Sequence, residues 1–105
     1  MSVYMTLRVT VDPAAFEKTA AEQADVIKKI MGIAISNGLI AHRWFRGEGE
    51  VIAVDEWPSA ENAQAFLAAA EPEIGPLMGA AGVTAPPEVK FYGQVDINDN
   101  FGWGA

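Results

Sequence analysis

The sequence predicts an α+β domain in the order strand, helix, strand, strand, helix, strand, with a four-stranded antiparallel sheet and both helices on one face. Three observations carry that expectation. Residues 3–11 alternate between aliphatic and polar or amphipathic side chains, which is a strand with one greasy face. The short break Gly47-Glu48-Gly49 joins two strand-like runs into a hairpin. Each remaining strand is reached through a segment with apolar residues at helical spacing, and right-handed crossovers put both such helices on the same side of the sheet.

The first strand is Val3 to Val11, with Val3, Met5, Leu7 and Val9 on the face expected to pack on helices and Tyr4, Thr6, Arg8 and Thr10 on the other. Asp12-Pro13 then supplies an N-cap followed by proline at the first helical position. Phe16, Ala20, Ala24, Ile27, Met31 and Ala34 form the buried stripe of one long helix, which Ser36-Asn37-Gly38 closes. The second strand runs from Leu39 to Arg46 and the third from Glu50 to Trp57. Pro58 ends the third strand, and Ser59 caps a helix whose stripe is Ala63, Phe66, Leu67 and Ala70. Pro72, Gly75 and Pro76 are expected to interrupt that helix, leaving a short further turn around Ile74, Leu77 and Met78. Pro86-Pro87 leads into the fourth strand, Glu88 to Asp96. Residues 1–97 thus form the domain, and residues 98–105 a tail whose Phe101 and Trp103 are expected to reach a dimer partner.

This βαββαβ order is the split βαβ, or ferredoxin-like, pattern. The second strand carries Ile40, His42, Trp44 and Arg46 on one side and Leu39, Ala41, Arg43 and Phe45 on the other. Large apolar groups on both sides imply that both faces of the sheet are covered. One chain of this length has no third layer, so a second copy is the simplest cover, and a two-fold homodimer through the sheet faces is expected.

The run Val54-Asp55-Glu56-Trp57-Pro58-Ser59-Ala60-Glu61-Asn62-Ala63-Gln64-Ala65-Phe66 resembles dimeric α+β barrel proteins of the antibiotic-biosynthesis monooxygenase type. The order of strand, tryptophan, serine cap, acidic residue and aromatic-bearing helix carries the likeness, which extends over about residues 3–96. It implies two sheets paired into a barrel and a small molecule bound within. The activity it implies is that of a cofactor-independent monooxygenase on a planar, partly apolar substrate, with no cofactor or metal. Tyr4, Trp44, Asn62 and Arg8 are residue types that serve such enzymes. The haem-degrading relatives carry a first-strand asparagine, a helix aromatic and a following histidine; here those positions are Arg8, Phe66 and about Gly75. The iron ligand is missing, so haem bound through a histidine is not expected.

His42 is the only histidine. A two-residue hairpin loop, Glu48-Gly49, sets it opposite Asp55, the pairing by which a carboxylate orients an imidazole base. A three-residue loop sets it opposite Val54 with Glu56 diagonal. In the barrel reading, His42 and Trp44 lie on the barrel side beside Tyr4, Thr6 and Arg8. His42, Asp55 and Arg8 are then the candidate catalytic groups. His42 removes a proton, and Arg8 or Thr6 holds the resulting anion. Tyr4, Thr6, Trp44 and Phe66 are the candidate substrate contacts. The competing readings make His42 a structural hydrogen-bonding residue, and Arg8 the partner of Glu50, Asp55 or Glu56.

Composition narrows the rest. Seven basic residues against 14 acidic give a net charge of −7, which argues against binding through nucleic-acid phosphates. The absence of cysteine excludes disulfides, zinc ribbons and thiol nucleophiles. No GxGxxG, Walker, GxSxG or HExxH motif is present. No apolar run approaches a membrane span, and residues 1–12 lack a leader's apolar stretch, so a cytoplasmic protein is expected. Two readings remain: a small oxidoreductase or isomerase, of which the cofactor-independent monooxygenase is one form, or a non-catalytic homodimeric module that binds a ligand or a protein. Convergence of the polar groups on one accessible cavity is what separates them.

Overall fold

The computed structural model describes residues 2–102. Its elements are β1 (Val3–Thr10), α1 (Pro13–Glu22), α2 (Ala24–Ser36), β2 (Ala41–Gly47), β3 (Glu50–Trp57), α3 (Ala60–Ala81) and β4 (Glu88–Tyr92). The four strands make one antiparallel sheet in the order β2-β3-β1-β4, the ferredoxin-like arrangement. Trp103 lies outside the described residues. Among those residues no helix is long and apolar enough to cross a membrane.

Several boundaries depart from the sequence reading, the first strand by one residue, since β1 ends at Thr10 and not Val11. The first helical stretch is two helices, because Gln23 (φ −118°, ψ 43°) leaves helical geometry. Its N–H still bonds the Thr19 carbonyl at 2.9 Å, so the chain bends without losing that hydrogen bond. The bend lets Phe16 and Ala20 of α1 and Ile27 and Met31 of α2 all turn toward the sheet.

The second helical stretch is the reverse case. Pro72 and Pro76 do not break α3, which runs unbroken over 22 residues. Each proline removes a bond to the carbonyl four residues earlier, at Ala68 and Pro72. Those residues are exposed, on the side of α3 where a freed carbonyl can be solvated. Meanwhile Ala63, Phe66 and Ala70 before the prolines and Leu77, Met78 and Ala81 after them are buried on one stripe. Tertiary packing on both sides outweighs the local penalty.

β4 ends at Tyr92 because its partner runs out: Tyr92 pairs with Tyr4, one residue from the start of β1. β2 begins at Ala41, although the Ile40 N–H still donates to the Glu56 carbonyl at 2.9 Å. The hairpin loop is Glu48-Gly49, with Gly47 opposite Glu50 and Gly49 at φ +69°, a left-handed conformation that glycine adopts without strain.

The core sits between the sheet and the helices in two clusters. One gathers Leu7, Val9, Phe16, Val51 and Met78; the other gathers Met5, Ala34, Trp57, Ala63 and Phe66. Leu67 and Ile74 of α3 touch both. Among the described residues no helix covers the other face of the sheet. Tyr4, Phe45, Ile52, Val54 and Tyr92 share that face, as the strand registers require.

Candidate functional site

The two strand registers place the site. β1 pairs with β3 so that Met5 lies opposite Asp55, and β2 pairs with β3 so that His42 lies opposite Asp55. Residues directly opposite in a ladder share a face. Met5 is 1% exposed under the helices, so Asp55 and His42 also lie on the helix side. By the same parity Trp44 lies there, while Tyr4, Thr6 and Arg8 lie on the opposite, uncovered face.

This corrects the single grouping expected from sequence: the candidate residues divide between two faces. His42, Asp55, Trp44 and Phe66 come together. Tyr4, Thr6 and Arg8 do not join them. Arg8 is instead held at 46% side-chain exposure between Glu50 (2.8 Å) and Glu88 (3.2 Å), two strands' carboxylates on the uncovered face. It is too far round the sheet to hold an anion made beside His42. Asn62 is also committed elsewhere. Its backbone N–H donates to the Ser59 hydroxyl, and its side-chain amide donates to the Asn37 carbonyl at 3.0 Å, tying the start of α3 to the end of α2.

Where the four residues meet, the sheet and helices line a partly open cavity of about 350 Å³. Its wall is almost wholly apolar, with Ile27, Ile30 and Met31 from α2 facing Met5, Leu7 and Ala53 from the sheet. His42 and Asp55 are its only titratable lining groups among the described residues. His42 Nδ1 lies 2.6 Å from Asp55 Oδ1, a short contact of the kind a carboxylate makes with an imidazole N–H. The second carboxylate oxygen, Oδ2, accepts the Trp57 indole N–H at 3.3 Å. Asp55 is 4% exposed, so both of its bonds are made out of bulk water. With Nδ1 occupied by Asp55, Nε2 is the ring nitrogen left for a ligand. Chemically the arrangement is an oriented base in an apolar chamber.

Trp57 is a member that the sequence-derived candidates did not include. Its signal was present: Asp55 and Trp57, two apart on one strand, point to the same side. Trp57 is fully buried and stacks on Phe66 with ring centroids 5.2 Å apart. Trp44 stands edge-on to the His42 ring (6.1 Å, 88°) and packs on Phe16 (4.9 Å, 54°). Among the described residues no cluster of three or more histidine, aspartate or glutamate side chains is placed to hold a metal.

On the uncovered face, Glu88 is held below the usual carboxylate range, chiefly by its hydrogen bond to Lys90 and next by that to Arg8. A carboxylate lowered in the folded state stabilises above its unfolded value, and that stabilisation is lost as pH falls through the folded one. Glu88→Gln is therefore expected to lower stability slightly at neutral pH and low salt, with the gap closing under acid and under 0.5 M salt, since all the groups are exposed. Denaturant midpoints at pH 7 and near pH ~3 check this; a gap that widens in acid contradicts the ion pairs.

No family model and no curated protein sequence matches the chain. Solved structures do. The cofactor-independent oxygenase SnoaB of Streptomyces nogalater, as its N63A mutant, superposes with a TM-score of 0.64 at 18% identity, over 94% of this chain and 98% of that one. A monooxygenase of Streptomyces coelicolor, solved in complex with nanaomycin D, gives 0.64 at 18% identity over 94% and 93%. A conserved protein of Methanosarcina mazei gives 0.64 at 13% identity over 88% and 91%. The chain therefore shares the α+β fold of these structures. Such identities establish the fold and leave the chemistry to the site.

Proposed function

We propose that this protein is a cofactor-independent monooxygenase acting on a planar, largely apolar molecule with one acidic C–H or O–H. One observation carries this: the His42–Asp55 pair opens on an otherwise apolar cavity with room for a small fused-ring compound. The likeness to oxygenases supports it. In this reading Asp55 fixes the Nδ1–H tautomer, and His42 Nε2 takes the proton from the substrate. The carbanion or enolate that forms is paired with the new imidazolium, whose own counter-ion is Asp55. No other cation in the cavity lining is available to hold it, so the substrate enters without a carboxylate or phosphate of its own. For an activated methylene the balance is R₂CH₂ + O₂ → R₂C=O + H₂O. Dioxygen is the oxidant, one of its atoms enters the product, and the other leaves as water.

The test is oxygen uptake with anthrone, whose methylene is acidified by its ketone, measured against the spontaneous rate. With ¹⁸O₂, the expected product carries one labelled atom. A protein that binds anthrone yet leaves its oxidation rate at the background value favours the binding-module reading instead.

The second half of the reading is assembly. Phe45 and Tyr92 are about half exposed on the uncovered face, and Val54 is 37% exposed between them. A contiguous apolar face of this kind is uncommon on a monomer. A second copy of the chain, sheet against sheet, is the partner we propose. Sedimentation equilibrium is expected to give a dimer at micromolar concentration, and Val54→Arg, which sets a charge at the middle of the face, is expected to shift it to monomer. A wild-type monomer at those concentrations defeats this part of the reading.

A further inference from the structure

A second hollow, of about 280 Å³, lies between α1 and the end of the β2–β3 hairpin. Phe16, Ala20 and Trp44 line both this outer hollow and the inner cavity. The Phe16–Trp44 contact therefore stands as a wall between the two. Trp44 also touches His42 edge-on, so the inner side of that wall is the site itself. The outer hollow has charged walls: Glu17 of α1 and Arg46 of β2 form an ion pair of 2.8 Å, with side chains 66% and 57% exposed. Of the three residues that line both hollows, Phe16 is buried, Ala20 is part-buried and Trp44 is exposed, at 37%. Trp44 sits on the edge strand β2, where only one neighbouring strand restrains the backbone.

We infer that Trp44 is the gate and the size selector of the site, with the outer hollow as its vestibule and the Glu17–Arg46 pair as a latch drawing α1 onto β2. The inference rests on the reading of the inner cavity as the substrate site. A rotation of the Trp44 ring away from Phe16 connects the two hollows and gives a ligand a path from solvent, between α1 and β2, to His42. With the ring in place, the inner chamber holds a two-ring or small three-ring molecule and excludes longer ones. An aromatic gate suits an aromatic cargo, since the indole is apolar enough to close a dry chamber and broad enough to block it. The latch is exposed, so it sets the rate of opening more than the stability of the fold.

The experiment uses two neutral probes, 1-naphthol and the longer fluorophore N-phenyl-1-naphthylamine, with wild type, Trp44→Ala, Trp44→Phe, Glu17→Gln and Arg46→Gln. Wild type is expected to bind 1-naphthol and to bind the longer probe weakly. Trp44→Ala is expected to bind the longer probe at least about tenfold more tightly, and Trp44→Phe to keep the wild-type preference. The two latch variants leave the wall intact. Each is expected to speed 1-naphthol association about two- to fivefold in stopped flow without changing the preference, as 0.5 M salt should in wild type. Binding of 1-naphthol with a probe preference unchanged by Trp44→Ala, in a variant whose circular dichroism matches wild type, overturns the gate alone. Unaltered association rates in both latch variants overturn the latch, even if Trp44→Ala does not fold. Failure of every variant and of wild type to bind either probe overturns the site reading together with the gate.

Discussion

Asp55→Asn is expected to lower oxygenase activity by roughly 10²–10⁴-fold, as much as His42→Ala, while the protein stays folded. The reason is the donor and acceptor count around one carboxylate. Asp55 accepts from two sides, His42 at 2.6 Å and the Trp57 indole at 3.3 Å. An indole N–H only donates, so in the asparagine variant the amide oxygen must stay with Trp57. The amide NH₂ then faces His42 Nδ1, which has to become an acceptor. The ring proton moves to Nε2, and the nitrogen left for the substrate is no longer a base. The imidazole is present in the wrong tautomer. Because His42 is the only histidine, ¹⁵N shifts of the neutral ring report this directly. Wild type should show the proton on Nδ1 and Asp55→Asn on Nε2. The double variant with His42→Ala should be no slower than either single one, since the two residues act as a unit. An Asp55→Asn protein with full activity and an unchanged tautomer removes His42 from the proposed mechanism.

Trp57→Ala is expected to produce the largest loss of stability of any single truncation in the domain, about 3–5 kcal/mol. The side chain is fully buried, stacked on Phe66, and belongs to the cluster that joins β1, β3 and α3. Against the ~5–15 kcal/mol typical of a whole domain, that is enough to unfold a large fraction of the molecules on mild heating. Trp57→Phe separates packing from hydrogen bonding. It keeps an aromatic ring against Phe66 but leaves Asp55 Oδ2 without its partner in a buried setting, a loss of about 1–3 kcal/mol. Denaturant titrations should rank wild type above Trp57→Phe and Trp57→Phe above Trp57→Ala, with similar slopes. Equal stability of Trp57→Phe and wild type contradicts the indole–carboxylate bond.

Much of this protein was written locally. The alternation of residues 3–11, the Asp12 and Ser59 caps and the Gly-rich hairpin are short-range features, and each appears in the fold where its chemistry requires. The His42–Asp55 pair was legible too, conditional on a two-residue loop, because a hairpin's register follows from its turn. What the sequence reading had wrong was the face of the sheet that the pair occupies: it set His42 and Trp44 on the barrel side with Tyr4, Thr6 and Arg8, and they lie on the helix side. β2 and β3 both carry apolar groups on each side, so their alternation does not distinguish the covered face from the bare one. Only the pairing of Met5 with Asp55 across β1 and β3 settles it, and that register is fixed by packing between segments 50 residues apart in the chain. One residue of slip there would turn the dyad out of the cavity. The same dependence on distant contacts explains α3. Pro72 and Pro76 carry a strong local preference to stop a helix, and the burial of Leu77, Met78 and Ala81 against the sheet outweighs it. Local chemistry determined most of the elements and one candidate pair of side chains. Tertiary packing decided that the pair looks into an apolar chamber and that Arg8 does not, because a strand's face is a property of its neighbours.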